Sequence, residues 1–561
     1  MLKRRAADPV FIFGFILSVA FVGIAILYPL GKMLSTVVSV EAIPYFERFL
    51  LRPTFQLIIA RTVILGLVVG ACGTLVGFVF AFFQARVAAP GWLKKMAHWM
   101  ALIPVVSPPF AVAIAVIVLF GRSGMISYKL LNLRPNIYGL SGLTLVMTLS
   151  FFPAAYLNLL GLMRALDPSH EEASANLGAS KLRTFMRVTL PMLAPGIASS
   201  FLLLFVEAIA DLGNPITIGG DFDVLASRLF IAITGEYDLI AGAVLSVILL
   251  VPGLIVYLVQ KYWADRASVV SVTGKPVGQH QPVRDWRVRV PILVFISFCT
   301  FLIALIYLTI LFGAFTNLIG IDNSLTLKNF DYVLNGVGQD AFSDTTILAS
   351  LATPIAGFLG MLIAFLVVRG KFVGRGALDF GTMLGLAVPG TIFGIGYLLA
   401  FNNPVTIAGI TVLPKLTGGR AVFGGALAIL LVYVIRSTPA ALRSGVGALQ
   451  QIDPAIEEAS TSLGGDAFTT MRRVTLPLIR PAFLSGLIYA FSRSMTTISA
   501  VIFLTTPEIK IMTQQIYNET DTSRFGNAFA YVVVLISIVL VAIAILSLVV
   551  GTRTGAERER K

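Results

Sequence analysis

About twelve runs of roughly 20 apolar residues constrain this chain more than any other feature, because each is long enough to cross a bilayer as a helix. They centre near 11–34, 57–85, 97–120, 138–163, 193–217, 239–262, 290–315, 345–368, 379–401, 421–436, 481–505 and 527–550. Hydrocarbon offers no water to backbone N–H and C=O groups, so such runs must close their hydrogen bonds internally. The expected fold class is an all-α integral membrane protein. A hydrophobic fraction of 57%, a charged fraction of 12% and a mean hydropathy of +0.89 fall far outside the ranges of soluble domains and agree with it. Residues 1–34 begin with basic residues and continue in an apolar run too long for a signal-peptide core, with no small-x-small cleavage site after it. They read as an uncleaved first span.

Between the sixth and seventh runs lies WADRASVVSVTGKPVGQHQPVRDWRVRV, polar and basic, with Gly and Pro. This divides the chain into a first half (1–262), a linker (263–289) and a second half (290–561), each half with about six spans. The net charge of +14 is spread over short segments between apolar runs, without a basic face or aromatic platform. It therefore points to anionic lipid headgroups and orientation in the bilayer rather than to nucleic acid. With both termini cytoplasmic, the inner side receives about 28 of the 42 Lys and Arg residues, among them Lys3, Arg4, Arg5, Lys94, Lys95, Arg284, Arg369 and Lys371. Cys72 and Cys299 sit in apolar runs and read as buried small hydrophobes, with neither a disulfide nor a metal site in view.

One polar stretch occurs twice. DPSHEEASANLGASKLRTFMRVTLPMLAP from Asp167 and DPAIEEASTSLGGDAFTTMRRVTLPLIRP from Asp453 align without a gap at an offset of 286. Pro153-Ala154-Ala155 matches Pro439-Ala440-Ala441 at the same offset, and Ala81-Phe82 resembles Ala364-Phe365 at a slightly shorter one. The halves are thus parallel repeats related by an axis along the membrane normal, with a pathway expected between them. On the inferred topology both copies, after spans four and ten, face the cytoplasm.

Local chemistry predicts a short helix, a turn and a second helix in each copy. Asp167-Pro168 and Asp453-Pro454 are helix starts, with a carboxylate to cap free N–H groups and Pro at the first helical position. Glu171, Glu172, Glu457 and Glu458 place negative charge in the first turn, where the helix dipole favours it. Gly178 and Gly464 supply a positive φ to end the helix. Ser180 and Asp466 can cap a second helix, carrying Arg187 or Arg473, and Thr-Leu-Pro at 189–191 and 475–477 leads into the next span.

These residues resemble the cytoplasmic signature, the EAA motif, of permease subunits of bacterial binding-protein-dependent ABC importers: Glu-Ala-Ala, three residues, Gly, nine residues, Ile, any residue, Leu-Pro. The chain has Glu172-Ala173-Ser174, Gly178, Val188 and Leu190-Pro191, and again Glu458-Ala459-Ser460, Gly464, Val474 and Leu476-Pro477. It departs by Ser for the second Ala and Val for Ile. The competing reading is a pair of amphipathic helices lying on the headgroups. The resemblance covers essentially the whole chain and implies a type I ABC importer permease of the bacterial inner membrane, served by two copies of a cytoplasmic ATP-binding subunit and a periplasmic solute-binding protein. It also implies that Glu172, Ala173 and Gly178, with Glu458, Ala459 and Gly464, couple the membrane spans to the ATP-binding subunits. ATP and Mg would act there, with no cofactor bound directly by this chain. Its own candidate phosphate loop, Thr273-Gly274-Lys275-Pro276, lacks the preceding Gly and has Pro at the magnesium-binding position. No metal ligand set or nucleophile elbow appears, so the chain is expected not to be an enzyme.

Ionisable residues within spans are costly and mark function or pairing. Glu207 and Asp211 lie in the fifth run, four residues apart and so on one helix face, and Arg493 lies in the eleventh at the position equivalent to Glu207. Across a pseudo-twofold axis Glu207 and Arg493 could pair and line or gate a path, or pair for structure alone. Asp211-Leu212-Gly213-Asn214-Pro215 reads as a helix interruption, which membranes tolerate where backbone is buried or lines a cavity. Pro108-Pro109 and Pro389-Gly390 read as matching breaks, or as kinks for packing. The fused halves, with Ala210-Asp211-Leu212-Gly213 and the stretch from Arg493 to Leu504, are most similar to ferric-iron importer permeases. Similar fused permeases serve thiamine and relatives serve phosphonates. An ion-coupled secondary transporter also fits twelve spans in two halves, but it does not need the twin loops.

Overall fold

The computed structural model describes residues 9–266, 282–370, 372–407, 409–464 and 467–558. The string at 273–276, the cap expected from Asp466, and Lys3, Arg4, Arg5 and Lys371 lie outside the described residues. Among the described residues ten helices are long and apolar enough to cross a membrane, or twelve if each of two sharply bent pairs is one span. In chain order the spans are Phe11–Val37, Pro53–Arg86, Pro109–Leu130, Leu140–Ala165, Lys181–Ala210 and Leu239–Val256 in the first half. The second half has Trp286–Ala314, Gln339–Arg369, Arg375–Ala387 with Gly390–Phe401, Val422–Gln450, Arg472–Arg480 with Ala482–Thr496, and Phe525–Leu548. Strand is confined, among the described residues, to two antiparallel pairs, Thr316–Leu318 with Asp322–Leu325 and Val405–Ile407 with Ile410–Leu413.

The breaks fall where proline and polar side chains disturb the ladder. The third apolar run is split: a helix at Gly91–Leu102 ends in a tight turn, and a new helix starts at Pro109. Its counterpart bends by 106° between Ala387 and Gly390. Span five is a single helix from Lys181, well before the expected apolar edge, and it stops at Ala210 because Asp211 is already extended (φ −72°, ψ 132°). Span eleven likewise stops at Thr496, short of the expected 505. A 34-residue helix such as Pro53–Arg86 is about 51 Å long against a hydrocarbon core of ~30 Å, so its ends reach beyond the apolar layer.

Small residues set the closest helix packing, as expected where lipid supplies no hydrophobic drive between helices. Spans two and four pack together, as do spans eight and ten. A Cβ on Gly77 would lie 2.8 Å from the Ala155 side chain and 2.8 Å from the Tyr156 nitrogen, and one on Gly360 would meet Ala441 at 2.5 Å and the Leu442 nitrogen at 2.8 Å. The repeated Pro-Ala-Ala therefore has a packing reason in both halves. The halves also interlock. The Tyr28–Val37 part of span one packs on the Gly390–Phe401 part of span nine, and span seven on span three. Tyr397 Oη donates to the Ala25 carbonyl at 3.0 Å, and Ser107 Oγ and Tyr307 Oη stand 2.6 Å apart. Cys72 and Cys299 are free thiols.

Candidate functional site: twin loops and a central ion pair

Each repeated stretch forms the expected short helix, Ser169–Asn176 in the first half and Pro454–Ser462 in the second. The starting carboxylates accept from the backbone two residues on: Ser169 N donates to Asp167 Oδ1 and Ala455 N to Asp453 Oδ1, each at 2.9 Å. Gly178 and Gly464 take φ of +79° and +87°. In the first copy Gly178 N donates to the Ala175 carbonyl and Ala179 N to that of Ser174, the paired bonds of a glycine-closed helix end. Ser180 Oγ then accepts from Arg183 N at 3.4 Å, and the chain runs as one helix through Thr189-Leu190-Pro191 into span five. Glu172, Ala173 and Gly178, and Glu458, Ala459 and Gly464, all lie exposed. Beside them Leu177 and Leu463 are 89% and 90% exposed, which is a large apolar side chain offered to solvent at the same place in both loops.

Reasoning from the sequence missed what the other glutamate does. Glu171 Oε2 meets Arg86 Nη1 at 2.9 Å, and Glu171 Oε1 accepts from Thr189 Oγ1 at 2.8 Å. In the second half Glu457 Oε1 meets Arg369 Nε at 3.2 Å and accepts from Thr475 Oγ1 at 3.2 Å. Glu457 is 3% exposed. The first glutamate of each pair thus does more than complement the helix dipole: it turns inward and ties the loop helix to the end of span two or eight and to the start of span five or eleven. The substitution of Ser for Ala also gains a reason, since Ser174 Oγ lies 2.9 Å from Thr184 Oγ1 and Ser460 Oγ 2.9 Å from Thr470 Oγ1. The signal was present: Glu171, Ser174, Thr184 and Thr189 all recur at the offset of 286, which exposed residues have less reason to do.

At the centre, Arg493 Nη2 and Glu207 Oε1 are 3.3 Å apart, joining span eleven to span five, with side chains 26% and 29% exposed. Asp211 does not share their helix face, because the helix has ended. Its Oδ2 accepts from Asn214 N at 3.0 Å and from Asn214 Nδ2 at 2.8 Å, starting the short helix Gly213–Ile218. A further charge went unnoticed in the sequence. Arg436 of span ten is 6% exposed, and its Nη1 donates to the carbonyls of Gly385 at 3.0 Å and Val388 at 2.8 Å. It holds the carbonyl end of the helix that stops at the 106° bend. Ser150, at the equivalent position in the first half, donates to the Pro109 carbonyl at 3.1 Å, so a serine meets the corresponding break there. Among the described residues, no three His, Cys, Asp or Glu side chains stand together as a metal site.

Two like halves of membrane-length helices, each with an exposed short helix between two spans and a polar contact between the halves, agree with a membrane transport protein. The chain belongs to the family of binding-protein-dependent transport system inner membrane components, whose model matches twice, at residues 73–269 and 356–552. It is a multi-pass permease subunit of the ABC importer class, present as a fused two-half form. This sets aside the ion-coupled secondary transporter. A ferric transport system permease protein, FbpB, of Actinobacillus pleuropneumoniae is 33% identical over 517 residues, covering 90% of this chain and 73% of that one. A Haemophilus influenzae protein assigned provisionally as ferric transport system permease protein FbpB 1 is 34% identical over 467 residues, covering 81% and 71%. The Fe(3+)-transport system permease protein FbpB 2 of the same organism is 23% identical over 391 residues, covering 70% and 73%.

Proposed function

We propose that this chain forms the translocation path of an ATP-driven importer of ferric iron in the bacterial inner membrane. Iron arrives from a periplasmic binding protein, and two copies of a cytoplasmic ATP-binding subunit supply ATP and Mg to the cycle. Each half, 1–262 and 290–561, contributes one coupling loop, and both termini lie in the cytoplasm. The observation that carries the reading is the twin exposed helix, in which Glu172, Ala173, Gly178 and Leu177 recur as Glu458, Ala459, Gly464 and Leu463 with the same geometry. Alanine lets a partner approach closely, and glycine aims the helix without a side chain of its own. The solute follows from two relatives above 30% identity that bear the ferric transport name.

Glu207 and Arg493 act as the gate. An ion pair between the halves that is about a quarter exposed can open when the halves part, whereas a fully desolvated pair would resist separation. Vesicles reconstituted with this chain, its binding protein and its ATP-binding subunit should accumulate ferric iron when ATP is supplied. Uptake of thiamine or a phosphonate in place of iron would overturn the solute. Glu207→Gln and Arg493→Gln should each change uptake several-fold, and if both leave it untouched the gate is lost.

A further inference from the structure

We infer that the two triads, Arg86–Glu171–Thr189 and Arg369–Glu457–Thr475, are the positioning residues through which movement of the loop helices reaches the membrane spans.

A helix of eight or nine residues cannot by itself pass a displacement to the bundle. The chain joining it to the preceding span passes through Leu166 and Asp167, and its other end turns at a glycine. Neither connection is helical. The carboxylate at Glu171 or Glu457 supplies a third, non-covalent connection to two spans at once. In each half an arginine from the end of span two or eight and a threonine from the foot of span five or eleven converge on the glutamate, on separate oxygens of Glu171 and on the one Oε1 of Glu457. The threonines are 6% and 1% exposed, and Glu457 is 3% exposed, so the second triad is shielded from solvent and salt, while the Glu171 side chain stays 28% exposed. Spans five and eleven are also the ones that carry Glu207 and Arg493 at their far ends. A pull on the first loop helix therefore has a direct line to Glu207, and one on the second has a direct line to Arg493.

Each strut has a further anchor. Arg369 Nη2 also donates to the carbonyls of Leu449 and Ile452, each at 3.1 Å, tying it to the end of span ten. Arg86 is also held through its backbone: Val283 N donates to the Arg86 carbonyl at 2.7 Å, and Ala88 N donates to the Val283 carbonyl at 3.1 Å. Val283 stands in the linker just before span seven, so the first strut is braced by the chain that leads into the second half.

This inference rests on the coupling role given to the loops above, and the two are tested apart. Glu172→Lys tests docking, read as loss of the ATP-binding subunit on purification of the complex. Glu171→Gln and Glu457→Gln keep shape and exposure of the outer surface while removing the charge from the strut. In the full reconstituted complex they should retain the ATP-binding subunit and hydrolyse ATP within about twofold of the parent, while solute moved per ATP falls about tenfold. Glu171→Asp should recover part of the ratio. Should either Gln variant fail to accumulate, Thr189→Val and Thr475→Val, matched in shape, should lower the same ratio in the same sense. Transport and hydrolysis falling in parallel, or a ratio unchanged in all variants, would overturn the inference.

Discussion

At the scale of single residues, two arginines near the centre have different kinds of partner. Glu207 and Arg493 answer each other across the halves, whereas Arg436 answers two carbonyls at the bend of span nine. Replacing Arg436 with Met leaves the Gly385 and Val388 carbonyls without these donors in a buried site, at about 1–3 kcal/mol for each unmet group. The variant should lose thermal stability in detergent by several degrees more than Ser150→Ala, whose loss is one neutral hydrogen bond. Ser174 and Ser460 predict a milder result. Each hydroxyl has a threonine partner at 2.9 Å, so Ser174→Ala and Ser460→Ala should cost about 1 kcal/mol or less and leave uptake within about twofold. A tenfold loss of uptake would mean these hydroxyls touch something beyond their threonines.

At the scale of elements, two kinds of glycine make opposite demands. Gly77 and Gly360 are close-approach positions, where an added side chain runs into backbone atoms of the facing span. Gly77→Val and Gly360→Val should each destabilise by about 1–3 kcal/mol or more through overpacking, seen as reduced yield of folded protein and a lower Tm. Around Gly178 and Gly464 no atom lies within 4 Å of the place a methyl group would take, and their requirement is the positive φ alone. Alanine there should cost about 1 kcal/mol and alter the angle of the loop helix rather than the bundle. The contrast is measurable: the first pair moves Tm, the second moves affinity for the ATP-binding subunit.

At the scale of the molecule, the halves exchange their first spans. Span one packs on span nine and span seven on span three, with Tyr397 to Ala25 and Tyr307 to Ser107 as polar contacts. Such mutual embrace predicts that the chain need not be continuous to assemble. Co-expressed pieces ending after Arg266 and beginning before Val283 should purify together through a tag on either one. Recovery of each piece alone, without the other, would show that the link between them is what holds the halves side by side.

How much of this was legible depends on the range of the interaction. Span number, the parallel repeat, the loop helices with their glycines, and the breaks near Pro108, Asp211 and Pro389 follow from hydrophobic length, caps and turn chemistry, which are local along the chain. The equivalence of Glu207 and Arg493 was readable from the offset of 286, though not their 3.3 Å approach. Span edges shifted where a polar helix continues into an apolar one, as at Lys181, because hydropathy marks the lipid boundary and not the helix end. The inward turn of Glu171 and Glu457, the bond of Arg436 to a distant bend, and the exchange of first spans were left to the tertiary structure. A carboxylate in a first helical turn faces water or an arginine 85 residues away according to how spans two and four pack, and no local propensity encodes that choice. The sequence by itself determined that the chain spans a membrane in two like halves, each with a repeated polar helix. Only the fold decided which of two adjacent glutamates is offered outward and which is bound within, because that depends on contacts between segments far apart in the chain.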